Sequence, residues 1–263
     1  MKITFLGTGT STGVPVIGCR CRVCTSADSR DRRLRCSALV EADDPSAPDG
    51  LRRILIDCGP DFREQMLRLD FKPLDAILIT HEHYDHVGGL DDLRPFSLFG
   101  GVRVCAEPLC AAHLRERIPY CFTPPEKRYP GVPSIGLEEM EPHRPVRVGG
   151  VEVMPLRVFH GRLPIVGFRI GPLAYITDMK TLPASELPLL RGVRVLVVNG
   201  LRHEPHPSHQ TIEDALALSE RLGRPRTYII HMSHHIRPHA EEDASLPPHA
   251  RLAYDGLTVT VDI

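Results

Sequence analysis

The segment Thr80-His81-Glu82-His83-Tyr84-Asp85-His86 follows directly on the apolar run Ala76-Ile77-Leu78-Ile79. Four apolar residues read as a buried strand, so three imidazoles and a carboxylate are delivered together at that strand's C-terminal end. Burying such groups costs free energy unless something pairs with them, and packing alone gives no reason to gather them. Imidazole and carboxylate form the mixed nitrogen and oxygen donor set that suits Zn²⁺, Fe²⁺ or Mn²⁺. In extended backbone, alternate side chains share a face, so His81 and His83 can serve one ion. Asp85 and His86 lie beyond the turn and can face a second.

The rest of the chain must bring further ligands to that strand end. Strands are expected over Lys2–Gly7, Arg53–Asp57, Ala76–Thr80, Val102–Ala106, Val151–Phe159, Ile165–Ile170, Ala174–Thr177, Val193–Val198, Arg226–His231 and Leu257–Val261. Helices are expected over Asp61–Leu69, Gly89–Leu98, Leu109–Glu116, Ser185–Leu190 and Ile212–Leu222, the last with one apolar stripe. Glu41–Gly50 reads as a hairpin tip. Ile118–Gly136 carries five prolines and reads as a long irregular loop. No linker divides the chain, so residues 1–263 are taken as one domain. Three of the expected strands end in a metal-ligand type: Val158-Phe159-His160, Ile176-Thr177-Asp178 and Ile229-Ile230-His231.

His81-x-His83-x-Asp85-His86, followed in order by His160, Asp178 and His231, resembles the ligand series of the metallo-β-lactamase superfamily. The resemblance runs over nearly the whole chain. It implies an α/β fold, an αββα sandwich of two mixed β-sheets flanked by helices, with two divalent ions (Zn or Mn) at one edge. It assigns His81, His83 and His160 to the first ion and Asp85, His86 and His231 to the second, with Asp178 bridging. Asp57, closing Ile54-Leu55-Ile56, would accept a hydrogen bond from a ligand imidazole and fix its tautomer.

Eight cysteines in a chain expected to lie in a reducing cytoplasm suggest metal binding or apolar packing rather than disulfides. Cys19-Arg20-Cys21-Arg22-Val23-Cys24 places three thiols at C-x-C-x2-C spacing, which lacks one ligand for a closed zinc site. Together with Leu6-Gly7-Thr8-Gly9-Thr10, this cluster is similar to the branch that contains the phosphodiesterase of the carbon–phosphorus lyase pathway, which acts on phosphoribosyl cyclic phosphate. That branch carries a structural zinc whose fourth ligand is a histidine three residues after the last catalytic one. The match here is His234, with His235 an adjacent alternative. The phosphodiesterase branches also place a general-acid histidine just before a helix. His209 matches that position, and His203 and His206 compete with it. Thr211 is a suitable N-cap with Asp214 three residues on, so the segment also has a structural role.

The reaction so implied is hydrolysis of a small cyclic phosphodiester. Two ions roughly 3.5 to 4 Å apart lower the pKa of a bridging water, which attacks phosphorus, while His209 protonates the leaving alkoxide. Arg20, Arg22 and Lys180 are candidates for holding substrate phosphate. Two other readings share parts of the motif set. A tRNA 3′-processing endonuclease has a long arm between the ligands matched by His160 and Asp178, but only 17 residues lie between them here. A net charge of -1 offers no field for a polyanion of that size, so nucleic acid is not the expected partner. A non-catalytic accessory protein of pyrroloquinoline quinone biosynthesis shares the cysteine cluster, but its histidine motif is degraded, whereas every ligand is present here. No apolar run approaches the roughly 18 to 20 residues of a membrane span, and Met1-Lys2-Ile3-Thr4-Phe5-Leu6 reads as a strand rather than a leader. A cytoplasmic protein with no membrane partner is expected, and the sequence leaves room for a homodimer.

Overall fold

A computed structural model describes residues 1–262. The strands form two seven-stranded sheets. One sheet begins with β1 (Lys2–Gly7), β2 (Ser37–Asp43), β3 (Leu51–Ile56), β4 (Ala76–Leu78), β5 (Val102–Ala106) and β6 (Ile135–Glu139), side by side in that order. The other holds β7 (Val146–Val148), β8 (Val151–His160), β9 (Leu163–Ile170), β10 (Leu173–Ile176), β11 (Val195–Asn199), β12 (Arg226–Ile230) and β13 (Ala250–Leu252), again in sequence order. The chain then returns to the first sheet, where β14 (Thr258–Thr260) pairs antiparallel with β1.

Alternation along the strands builds the layers. Phe5, Ile54, Ile56 and Leu78 face Val153, Phe168, Tyr175 and Val197 in a core between the sheets. The opposite face of the first sheet, with Leu55 and Ile77, is covered by α1 (Phe62–Met66), α2 (Tyr84–Val87) and α3 (Pro108–Arg117) through Phe62, Val87 and Leu114. On the second sheet Leu196 and Val198 pack against Ala215 and Leu218 of α4 (Ile212–Arg221). The result is the expected αββα sandwich of two mixed sheets. Among the described residues no helix is long and apolar enough to cross a membrane.

Most expected elements lie within a few residues of the observed ones. The helix expected over Gly89–Leu98 is instead a run of 3-10 turns over Leu90–Phe99 with Pro95 inside it. Proline supplies no backbone N–H for a regular α-helical ladder. Ser185–Leu190 likewise falls within 3-10 turns, spanning Ala184–Leu190 and enclosing Pro188. The proline-rich stretch has two short 3-10 turns at Pro119–Phe122 and Pro125–Lys127, and its end already belongs to β6. The hairpin tip is shorter than expected, because β2 runs on to Asp43 and β3 starts at Leu51.

Candidate metal centres

Parallel pairing of β3 with β4, and of β10 with β11 and β11 with β12, brings several strand ends to one edge of the sandwich. The residues just after β3, β10 and β12 include Asp57, Asp178 and His231, with φ of 59°, 55° and 59°. Left-handed backbone is uncommon for residues other than glycine and concentrates at functional sites. The same sharp turn thus ends three strands and points three buried polar side chains into one space. Gly59 and Gly89 let the histidine segment lie close to the turn after β3. A Cβ on Gly59 would stand 2.1 Å from the Asp85 carbonyl oxygen, and one on Gly89 would stand 2.1 Å from that of Gly59.

Asp85, His86, Asp178 and His231 each offer a ligand atom within 4.8 Å of the others, the set expected for one ion together with the bridging aspartate. His86 Nε2 lies 3.2 Å from Asp85 Oδ2 and 3.2 Å from Asp178 Oδ1, and His231 Nε2 lies 3.1 Å from Asp178 Oδ2. His86 Nε2 and both His231 ring nitrogens are buried without a hydrogen-bond partner. Buried polar atoms are rarely left so, and converging imidazole and carboxylate donors are what a divalent cation would satisfy. The residues therefore fit such an ion. Burial opposes charge on His86, yet Asp178, Asp57 and Asp85 outweigh it and hold its pKa well above the usual imidazole value. On His231 burial is likewise outweighed, by Asp178 and Asp85, and its pKa stands at about 9. Asp178, despite its own burial, is held well below the usual carboxylate range by His231 and His86.

The other expected set is less tightly drawn together. His81 Nε2 lies 3.0 Å from His83 Nδ1 and 4.0 Å from Asp178 Oδ2. The His160 ring is 5.7 Å from that of His81 and 5.1 Å from that of His83. The closer grouping around His160 is with Asp178 and His209. His160 Nδ1 donates to the Asp178 and Ser208 carbonyls, at 2.8 and 2.9 Å, which leaves its Nε2 as the donor to an ion. His209 Nε2 lies 3.3 Å from Asp178 Oδ2, and its ring stacks 4.9 Å from that of His231. Burial draws the His209 pKa down to about 4 against the opposing pull of Asp178.

Of the competing histidines, His206 touches His209 through the two Nδ1 atoms at 3.0 Å, whereas His203 turns away to Glu213 and Glu242. Thr211 caps α4 in a full capping box with Asp214, so this segment is also held structurally.

Asp57 directly follows β3. It is fully buried, with Oδ2 2.7 Å from His86 Nδ1, and it accepts from the Thr80 backbone N–H and hydroxyl. Several supports were not picked out in the sequence. Thr177 donates to Asp178 Oδ1 at 2.7 Å. Asn199 clamps the Met179 backbone with both ends of its amide, fixing the turn that carries Asp178. The position of Asn199 at the end of an otherwise apolar strand was the one available signal.

The cysteine cluster forms a second group. His234 Nδ1 lies 3.1 Å from Cys19 Sγ and 3.5 Å from both Cys21 Sγ and Cys24 Sγ. All eight cysteines are free. Three thiols around one imidazole nitrogen fit a closed tetrahedral zinc site, and His234 rather than His235 is the residue that joins the group. Burial raises the Cys21 pKa, but the Cys24 N–H and His234 more than offset it and bring the thiol to about 6. Thr10 donates its backbone N–H to the Met232 carbonyl, and Met232 donates to Thr8, which ties the segment before the cluster to the one carrying both His231 and His234.

The family model described as the beta-lactamase superfamily domain matches residues 52–232, which include all seven expected ligands of the His/Asp centre. The chain belongs to the metallo-β-lactamase superfamily. A solved structure described as a new diphosphatase from the PhnP family is similar over 98% of this chain and 96% of its own, at 39% identity and a TM-score of 0.87. Zn²⁺-bound PqqB from Methylobacterium extorquens shares the fold, with 21% identity and a TM-score of 0.78 over 99% of this chain and 100% of its own. An octanoyltransferase of Porphyromonas gingivalis is 47% identical over all 263 residues. The chain spans 52% of that relative's length.

Proposed function

We propose that the chain is a metal-dependent phosphodiesterase that opens a small cyclic phosphodiester of the phosphoribosyl type. The observation that carries this reading is Asp178, whose two carboxylate oxygens face different partners. Oδ1 lies beside His86 of one ligand set, and Oδ2 lies beside His231 of that set and 4.0 Å from His81 of the other, so one residue can serve two ions. His81, His83 and His160 would hold one divalent ion, Asp85, His86 and His231 the other, with Asp178 between. Zinc or manganese suits this donor set, and zinc suits Cys19, Cys21, Cys24 and His234. When bound, the pair supplies Lewis acidity toward phosphate oxygens and an activated water. His209 stands over the Asp178 and His160 side of the centre and delivers a proton to the departing alkoxide oxygen. Burial favours its neutral form, so it draws on the negative charge of a bound phosphate to hold that proton. Asp57 and the carbonyls of Asp178 and Ser208 fix which nitrogens of His86 and His160 face the ions.

A small substrate fits the short connection between the ligand strands. His160 pairs with Leu163 across a tight hairpin, which leaves no arm there to grip a large nucleic acid. The PhnP-family diphosphatase supports a second reading, in which the scissile bond is a phosphoric anhydride. The name octanoyltransferase belongs to a relative about twice this length, and we assign its acyl transfer to the part outside the match. The test is a substrate panel on the metal-loaded protein followed by ³¹P NMR. A ribose cyclic phosphate should give a phosphomonoester faster than a dinucleotide diphosphate is cleaved. The reverse order would replace the first reading with the second, and inertness toward both would refute each.

A further inference from the structure

Outside the His/Asp centre, the chain has a cleft of about 590 Å³ whose lining includes Arg30, Arg32, Arg33, Arg35 and Arg68, with only Glu64 and Asp255 as carboxylates. Like charges gathered in one concavity repel one another, and the potential they create attracts an anion. The acids that pair with Arg30 and Arg35 are not among the lining residues, whereas Glu64, which is, holds Arg68 at 3.0 Å. Asp28 holds Arg30 through contacts as short as 2.7 Å, and the Asp61 carboxylate lies 3.1 Å from Arg35 Nε. Arg32 is exposed and has no side-chain hydrogen bond or ion pair among the described residues.

A second observation comes from Arg33. Its side chain is 2% exposed, with terminal nitrogens committed to Thr8, the Ala253 carbonyl and His239. Its Nε is buried without a partner. A guanidinium is planar and binds oxyanions through parallel N–H pairs, so a cleft whose lining carries the unpaired Arg32 among five arginines is matched to phosphate rather than to carboxamide or hydroxyl ligands.

We propose that this cleft is a second ligand site, for a phosphate-bearing small molecule, separate from the His/Asp centre. Thr12, Gly13, Val14 and Pro15 form part of its lining, and Val14 exchanges two backbone hydrogen bonds with Arg33. A few residues before them, Thr10 bonds the Met232 carbonyl. An anion in the cleft therefore rests on the loop that abuts the segment bearing His231.

The metal-loaded protein is titrated calorimetrically with inorganic pyrophosphate and, in a second arm, with ribose 5-phosphate. Arg32→Gln/Arg68→Gln removes two exposed guanidinium groups whose loss leaves the core intact, and circular dichroism checks its fold. Arg191→Gln/Arg221→Gln makes the same charge change at exposed positions outside the cleft. The expected result is that the cleft variant binds one equivalent fewer than the parent in at least one arm, or binds it at least ~10-fold more weakly. The control variant keeps the parent's stoichiometry and affinity. The arm with the tighter loss tells whether the ligand is a sugar phosphate or an inorganic anion. Equal stoichiometry and affinity in the parent and cleft variant, in both arms, would overturn the site. So would an equal loss in the control, which would mean that only net charge was being read.

Discussion

His86 Nδ1 and Asp57 Oδ2 lie 2.7 Å apart, and both residues are fully buried. The hydrogen bond leaves His86 Nε2 facing Asp85 and Asp178, the only orientation in which this imidazole can donate to an ion there. Asp57 holds that place through backbone of the left-handed type and two bonds from Thr80. It is a positioning residue.

Asp57→Asn keeps the shape but gives the ring an ambiguous partner, since the amide can donate as well as accept. Metal affinity at the His/Asp centre should fall by roughly 10- to 100-fold, the usual cost of losing such a support. Competition with a chromogenic chelator measures this without reference to turnover. Affinity equal to that of the parent would show that Asp57 serves the turn alone.

His209→Ala should slow cleavage of diesters with alkoxide leaving groups by about 10² to 10⁴-fold. Nitrophenyl esters, whose leaving group needs little protonation, should lose far less. His206→Ala tests the neighbour that touches it at 3.0 Å. If His206→Ala shows the leaving-group dependence and His209→Ala does not, the proton donor is His206.

The ligand-bearing strand ends were legible because an apolar run followed by one histidine or aspartate survives in any context. His160, Asp178 and His231 each close such a run. The convergence of Asp57, Asp178 and His231 through positive φ was not legible, since nothing in aspartate or histidine announces left-handed backbone. Short edge strands were missed for a similar reason. β7 is only Val146–Val148, and β6 begins inside a proline-rich stretch that reads as loop. Gly89–Leu98 was expected as a helix, whereas in the fold Pro95 accompanies 3-10 geometry there.

Acid should weaken the fold through His239. Burial and the adjacent Arg33 guanidinium hold its pKa at about 4, against 6.5 for the free side chain. The unfolded chain takes up this proton below pH 6.5 and the folded one only near 4. The contribution of His239 to stability is therefore fully present above 6.5 and declines as pH falls toward 4. At pH 5.5 the loss relative to pH 7.5 should be about 1 kcal/mol. Asp255, raised to about 6 chiefly by burial, titrates in the same window with the opposite sign. The measurement is therefore a difference, with urea unfolding of the parent compared with His239→Asn at both values. A difference that does not change with pH would show that His239 does not titrate between the two states.

Cys21→Ser tests whether the thiol cluster holds zinc that supports the fold. Three sulfurs lie 3.1 to 3.5 Å from His234 Nδ1, and the Cys21 thiol, at about 6, is already ionised near neutrality. Such a site binds zinc as thiolate and releases it slowly, so mild chelation should empty the His/Asp centre first. The variant should contain one equivalent less zinc and melt at a lower temperature, because metal bound only by the folded chain adds to folding free energy. The effect should extend to the His/Asp centre, although Cys21 touches none of its residues. His234 and His231 share the segment His231-Met232-Ser233-His234, and Met232 is bonded on both sides to the Thr8–Thr10 loop. Once His234 is released, His231 should bind its ion more weakly, which chelator competition on the variant would detect. Full zinc content together with an unchanged melting temperature would show that the cluster is not a zinc site. Loss of zinc with unchanged affinity at the His/Asp centre would show instead that the two centres are independent.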